Sequence, residues 1–221
     1  MPSKPTPTVS DVYVFVPNLI GYSRIVMALA AFVVAFDSPV WFLVLYSLSF
    51  ILDAADGWAA RKLGQSSNFG AVLDMFTDRA ATSAMLVVIS HVVHPVSRVQ
   101  VLIAAFLVFL DISSHFVRMY ASLFIGKLSH KDTSGSIFSL LALYYGNRNF
   151  MAALCIGQEF SYILFYANFF YGAAAPWVSY ALYITIPLCL AKQVVNVQQL
   201  LDAMYHIAKH DVELYAAKAQ K

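Results

Sequence analysis

Long apolar runs separated by short polar breaks make up nearly the whole chain. A helix crosses the hydrocarbon of a bilayer in about 20 residues. On that measure six runs predict spanning helices: 15–36, 40–61, 70–92, 99–125, 150–170 and 176–195. The segment 198–219 is more polar and predicts a surface or interfacial helix or tail over 198–221. The first residues, MPSKPTPTVSDVY, are polar and proline-rich, so residues 1–12 are expected to be flexible. They lack the basic-then-apolar order of a cleaved signal segment, which predicts that the first span is retained. The 126–149 connection is long and includes the Ser/Gly-rich stretch HKDTSGSIFS. With no internal repeat, the pattern predicts one all-α polytopic membrane domain over 1–221, with about six transmembrane helices and a polar C-terminal helix.

Composition agrees with that reading. The 221 residues are 60% hydrophobic and 12% charged, against about 25% charged in soluble domains. A net charge of +2 is too small to suggest a nucleic-acid partner. Cys155 and Cys189 both fall in apolar helical sequence and read as core residues without a disulfide. Six spans put both termini on one side, together with Lys4, Lys62, Lys127, Lys131, Arg148, Lys209, Lys218 and Lys221; the other side holds Arg98. Because basic residues accumulate on cytoplasmic loops, the termini and the turn between the second and third spans are expected to face the cytoplasm.

Four aspartates interrupt the apolar pattern. The segment from Leu52 to Arg79 reads LDAADGWAARKLGQSSNFGAVLDMFTDR. Asp53, Asp56, Gly57 and Ala60 stand at helical offsets 0, 3, 4 and 7, on one face; Gly70, Asp74 and Asp78 stand at 0, 4 and 8, on another. A carboxylate costs roughly 2.5–3.5 kcal/mol at the centre of a spanning helix, and intramembrane acids ordinarily serve ions or chemistry. The glycines let a bulky ligand approach the backbone beside the acids, and Arg61 can reach the same pocket. Carboxylates without histidine or cysteine nearby suit hard ions such as Mg²⁺, Mn²⁺ or Ca²⁺. Two such ions would relieve the mutual repulsion of the acids and form a clamp for displacement at phosphorus. The competing reading pairs the acids with Arg24, Arg61, Lys62 and Arg79 as ions at the membrane edge. A divalent-cation transporter is a second class, but it has no use for Gly57, Ala60, Arg61 and Gly70 at fixed offsets.

The segment fits Asp-x2-Asp-Gly-x2-Ala-Arg-x8-Gly-x3-Asp-x3-Asp without a departure, and in this it resembles the CDP-alcohol phosphotransferase family of integral membrane enzymes. The resemblance implies six helices, a site at their cytoplasmic end, and a homodimer. It implies that Asp53, Asp56 and Asp74 bind two ions, Mg²⁺ or Mn²⁺. Asp78 would serve as metal ligand or neighbour and as the base that activates the acceptor hydroxyl. Gly57, Arg61 and Gly70 would surround the CDP moiety, with Asn18, Arg24 and Ser67 as further contacts. For Ser67 a helix cap is the alternative, and for Arg24 neutralisation of one aspartate. FVPNLIGYSRI, the aspartate segment, DISSH at Asp111 to His115, SHK at Ser129 to Lys131 and GQEFSYILFY from Gly157 look most like the eukaryotic phosphatidylinositol synthases of that family. This implies CDP-diacylglycerol and myo-inositol as substrates and the endoplasmic reticulum as location. The same chemistry on inositol phosphate, glycerol 3-phosphate or serine is the alternative. Asp111, His115 and Arg148 are candidates to line the acceptor pocket.

Overall fold

The computed structural model describes residues 6–124 and 136–219. Its elements are helical, and no strand occurs among the described residues. Two compact units divide the chain, Met1–Val92 and Val93–Lys221.

The first unit contains α1 (Val9–Tyr13), α2 (Val16–Val34), α3 (Pro39–Leu63) and α4 (Asn68–Val92). Part of the expected flexible N-terminus is therefore helical. Thr8 and Asp11 form a reciprocal cap on α1, and the hydroxyl and backbone N–H that Thr8 donates hold the Asp11 carboxyl below its ordinary range. Pro17 at the start of α2 suits a position where a backbone N–H would have no helical acceptor. α2 packs against both α3 and α4. Small residues allow this. Ala28, Ala31 and Ala35 are buried, and a side chain at Gly21 would meet Leu73 of α4 at 3.0 Å. Where α2 and α3 come together near their connecting turn, Phe42 and Tyr46 stack and Phe32 packs tilted against both. At its other end α3 closes on Gly64, whose φ of 63° is the left-handed conformation that glycine adopts without penalty.

The second unit contains α5 (Arg98–Phe124), α6 (Ser139–Gly146), α7 (Arg148–Tyr171) and α8 (Pro176–Ala219). α8 packs against the other three, with Leu141, Tyr144, Leu154 and Val195 at the centre. A polar stripe on α8 is also buried: Lys192, Asn196, Gln199 and Asp202. Asp202 accepts hydrogen bonds from Arg118 Nη1 at 2.8 Å, Ser136 Oγ at 2.8 Å and the backbone N–H of Ile137 at 3.1 Å. Lys192 donates to Asn196.

Among the described residues five helices are long and apolar enough to cross a membrane: α2, α3, α5, α7 and α8. α4 is the remaining expected span. It is 25 residues long but carries Asp74, Asp78 and Arg79. The break expected near 195–198 is absent. α8 is one 44-residue helix, about 66 Å long, and the polar C-terminal segment is its second half. A fall in hydropathy does not end a helix, and VVNVQQL contains neither glycine nor proline. Cys155 is exposed and Cys189 half-buried, and both are free thiols, so Cys155 is not the core residue its apolar context predicts. Lys4, Lys127, Lys131, Lys221 and SHK lie outside the described residues.

Candidate active site: an aspartate cluster around Arg24

Helical periodicity brings the acids together as their spacing predicts. Asp53 and Asp56 on α3 and Asp74 and Asp78 on α4 converge on a single side chain from α2, the guanidinium of Arg24. Nη1 lies 2.6 Å from Asp56 Oδ2 and 2.8 Å from Asp74 Oδ1. Nη2 lies 2.7 Å from Asp53 Oδ1 and 2.5 Å from Asp78 Oδ1. Each terminal nitrogen thus joins one acid of α3 to one of α4. Arg24 is 3% exposed, and its Nε is buried without a hydrogen-bond partner among the described residues. Ser49 Oγ donates to the Arg24 carbonyl at 3.0 Å and fixes this turn of α2 against α3. The cluster opens on one side: the Asp74 side chain is 47% exposed.

The ion-pair reading therefore describes part of the site. Arg24 bonds all four acids rather than one. Arg79 Nη2 approaches Asp78 at 3.6 Å, while Lys62 turns away to lie over the Trp58 ring at 4.4 Å. Four carboxylates still outnumber the cations that touch them. Asp53, Asp56 and Asp74 each offer an oxygen, and these oxygens lie within 4.8 Å of one another. An all-oxygen donor set with surplus negative charge fits a hard divalent cation.

A cavity of about 180 Å³ adjoins the cluster. Asp56 and Asp74 stand at one end; Gly57, Ala60 and Arg61 form the α3 wall; Asn18, Gly21 and Pro17 come from α2, and Ser67, Gly70 and Ala71 from the start of α4. Arg61 folds back over Gly57: a Cβ there would sit 3.4 Å from Arg61 Nη1. Ser67 has the capping role, accepting from the Gly70 N–H at 3.0 Å, and it also lines the cavity. Asn18 lines it too while donating to the Val12 carbonyl at 2.6 Å. A Cβ at Gly70 would lie 2.8 Å from Asn18 Oδ1 and 3.2 Å from Ser67 Oγ. Gly70→Ala is therefore expected to displace Asn18 and lower stability by about 1–3 kcal/mol. Thermal melting of the purified variant checks this.

Asp111 and His115 are neighbours within α5. His115 Nδ1 lies 2.8 Å from the Asp111 carbonyl and 3.8 Å from its carboxylate, and Asp111 is buried. Arg148 is the exposed first residue of α7. Two polar cavity residues carry no sequence pattern that would single them out, Gln65 and Ser66 in the α3–α4 turn.

A family model described as CDP-alcohol phosphatidyltransferase matches residues 14–208, which include both helices of the cluster. The chain belongs to this family. Among similar members, "CDP-diacylglycerol--inositol 3-phosphatidyltransferase 1" of Arabidopsis thaliana is 45% identical over 73% of this chain and 69% of its own. The Candida albicans CDP-diacylglycerol--inositol 3-phosphatidyltransferase is 40% identical over 92% of this chain and 86% of its own. The Homo sapiens protein of that name is 37% identical over 94% and 98%. No solved structure matches the chain. Family membership, an acidic cluster able to hold a metal ion and several bilayer-length apolar helices characterise this CDP-alcohol phosphatidyltransferase as an integral membrane protein.

Proposed function

We propose that the chain transfers the phosphatidyl group of CDP-diacylglycerol to myo-inositol, giving phosphatidylinositol and CMP. The observation that carries the reading is the convergence of four acids from two helices beside a cavity, in a chain whose full-length relatives bear the name of this activity. Asp53, Asp56, Asp74 and Asp78 are assigned to two ions, Mg²⁺ or Mn²⁺. When bound, the metal neutralises charge on the pyrophosphate and on the departing CMP.

The remaining chemistry belongs to side chains of this chain. Gly57 and Gly70 leave room for the CDP moiety, and Arg61 supplies positive charge to its phosphates. Asn18, Ser67 and Arg24 line or border the same space. Asp78, one third exposed, takes the proton of one inositol hydroxyl. That oxygen bonds to the phosphorus carrying diacylglycerol, the bond from this phosphorus to the CMP oxygen breaks, and CMP departs. Positioning and charge compensation supply most of the rate, as in other phosphoryl transfers. A neutral polyol also suits the small supply of basic residues, since an acceptor with its own phosphate calls for clustered arginines. Asp111, His115 and Arg148 are assigned to the acceptor.

The domain is read as one over 1–221, homodimeric, in the endoplasmic reticulum membrane with the α3–α4 turn toward the cytoplasm; the basic-residue tally supports the orientation. The test is CMP release from CDP-diacylglycerol by detergent-purified protein with Mg²⁺ or Mn²⁺. Inositol, inositol phosphate, glycerol 3-phosphate and serine are supplied separately. Release with inositol alone is expected, and release with a different acceptor overturns the inositol assignment. Asp53→Ala is expected to lose metal-dependent nucleotide binding; calorimetry that finds unchanged binding removes its role as a ligand.

A further inference from the structure

The cavity has two chemically different ends. One is the acid cluster with Arg61 nearby. The other is the α3–α4 turn, where Gln65, Ser66 and Ser67 line it. From Asp56 to the last residue of α3, Leu63, the helix rises about 10 Å, and Asn68 to Asp74 on α4 covers nearly the same distance. This span matches the reach of a nucleoside diphosphate from its phosphates to its base. With the phosphates at the acids, the base falls at the turn.

Gln65 is held there in a defined pose. Its Oε1 accepts the backbone N–H of Val16, the first residue of α2, at 3.0 Å. That bond fixes which end of the amide is the acceptor and leaves the NH₂ end as a donor; among the described residues no acceptor takes it. The tether also joins the turn to the helix that brings Asn18 and Pro17 to the same cavity. O2 accepts in both pyrimidines, so an amide donor at this end distinguishes them where it meets N3. Cytosine presents acceptors at O2 and N3, whereas N3 of uracil carries a hydrogen and would face the amide donor to donor.

We propose that Gln65 is a specificity-determining residue, reading the cytosine edge of the nucleotide through its side-chain NH₂ while Val16 locks its orientation. The inference rests on the assignment of this cavity to CDP. The test is titration of the detergent-purified full chain with CDP and with UDP, in Mn²⁺, followed by calorimetry. The wild type is expected to prefer CDP by about tenfold, the worth of one such hydrogen bond. Gln65→Glu keeps an oxygen for the Val16 N–H but removes the donor; its preference for CDP is expected to disappear or reverse at unchanged thermal stability. Gln65→Ala is expected to lose the preference and also to melt lower, because the tether is gone. Equal binding of CDP and UDP by the wild type, or a preference that survives both substitutions, overturns the role of Gln65 and leaves the nucleotide cavity standing. Failure of the wild type to bind either nucleotide overturns the cavity assignment and the inference with it.

Discussion

In an Asp78→Asn variant, CMP release is expected to fall by about a hundred- to ten-thousand-fold, the usual worth of a positioned general base. CDP-diacylglycerol binding should remain measurable. The asparagine has nearly the same shape, and its carbonyl can still accept from Arg24 Nη2, which reaches Asp78 Oδ1 at 2.5 Å. What it lacks is a basic oxygen for the hydroxyl proton. Steady-state rates set against nucleotide affinity separate the two losses. Full turnover by this variant removes Asp78 as the base. Loss of binding in parallel with turnover assigns it to holding the metal or the fold.

Arg24→Gln should have the largest effect on stability. One buried guanidinium bonds four carboxylates from two helices, and removing one partner of a buried ion pair costs about 3–5 kcal/mol. The acids of α3 and α4 are partly exposed, which places the expected loss near the lower figure. In the presence of a chelator the melting temperature should drop by roughly 10 °C. Mg²⁺ or Mn²⁺ should recover part of the drop, because a divalent ion restores the missing positive charge. An unchanged melting temperature in chelator would mean that the four pairings contribute nothing to the metal-free fold.

The aspartate helices were legible because both periodicities fall within single helices, and offsets of three and four fix a face wherever the helix goes. Arg24 was legible as a charge in an apolar run, but its four partners were not. They lie 29 or more residues downstream, and no local pattern links α2 to the acid face of its neighbours. Gln65 was invisible for a different reason: one amide following a glycine cap has no period. The Thr8–Asp11 cap was in plain view as Thr-x-x-Asp, yet the prolines around it dominate the segment. On α8, Lys192, Asn196, Gln199 and Asp202 recur at 4, 3 and 3 residues, a buried helical stripe written in polar letters. Hydropathy registers such a stripe as the end of a span, while the backbone continues because no glycine or proline falls between Lys192 and Asp202.

That continuity has a practical use. Beyond Ala203 the surface of α8 is largely solvent-accessible, while Asp202 anchors the turn just before it to Arg118 and Ser136. A soluble helical protein fused in phase to α8 would inherit its axis instead of swinging on a linker. For a chain of 24.5 kDa, too small to align easily as an isolated particle, the C-terminal half of α8 is a built-in rigid mount for an imaging marker.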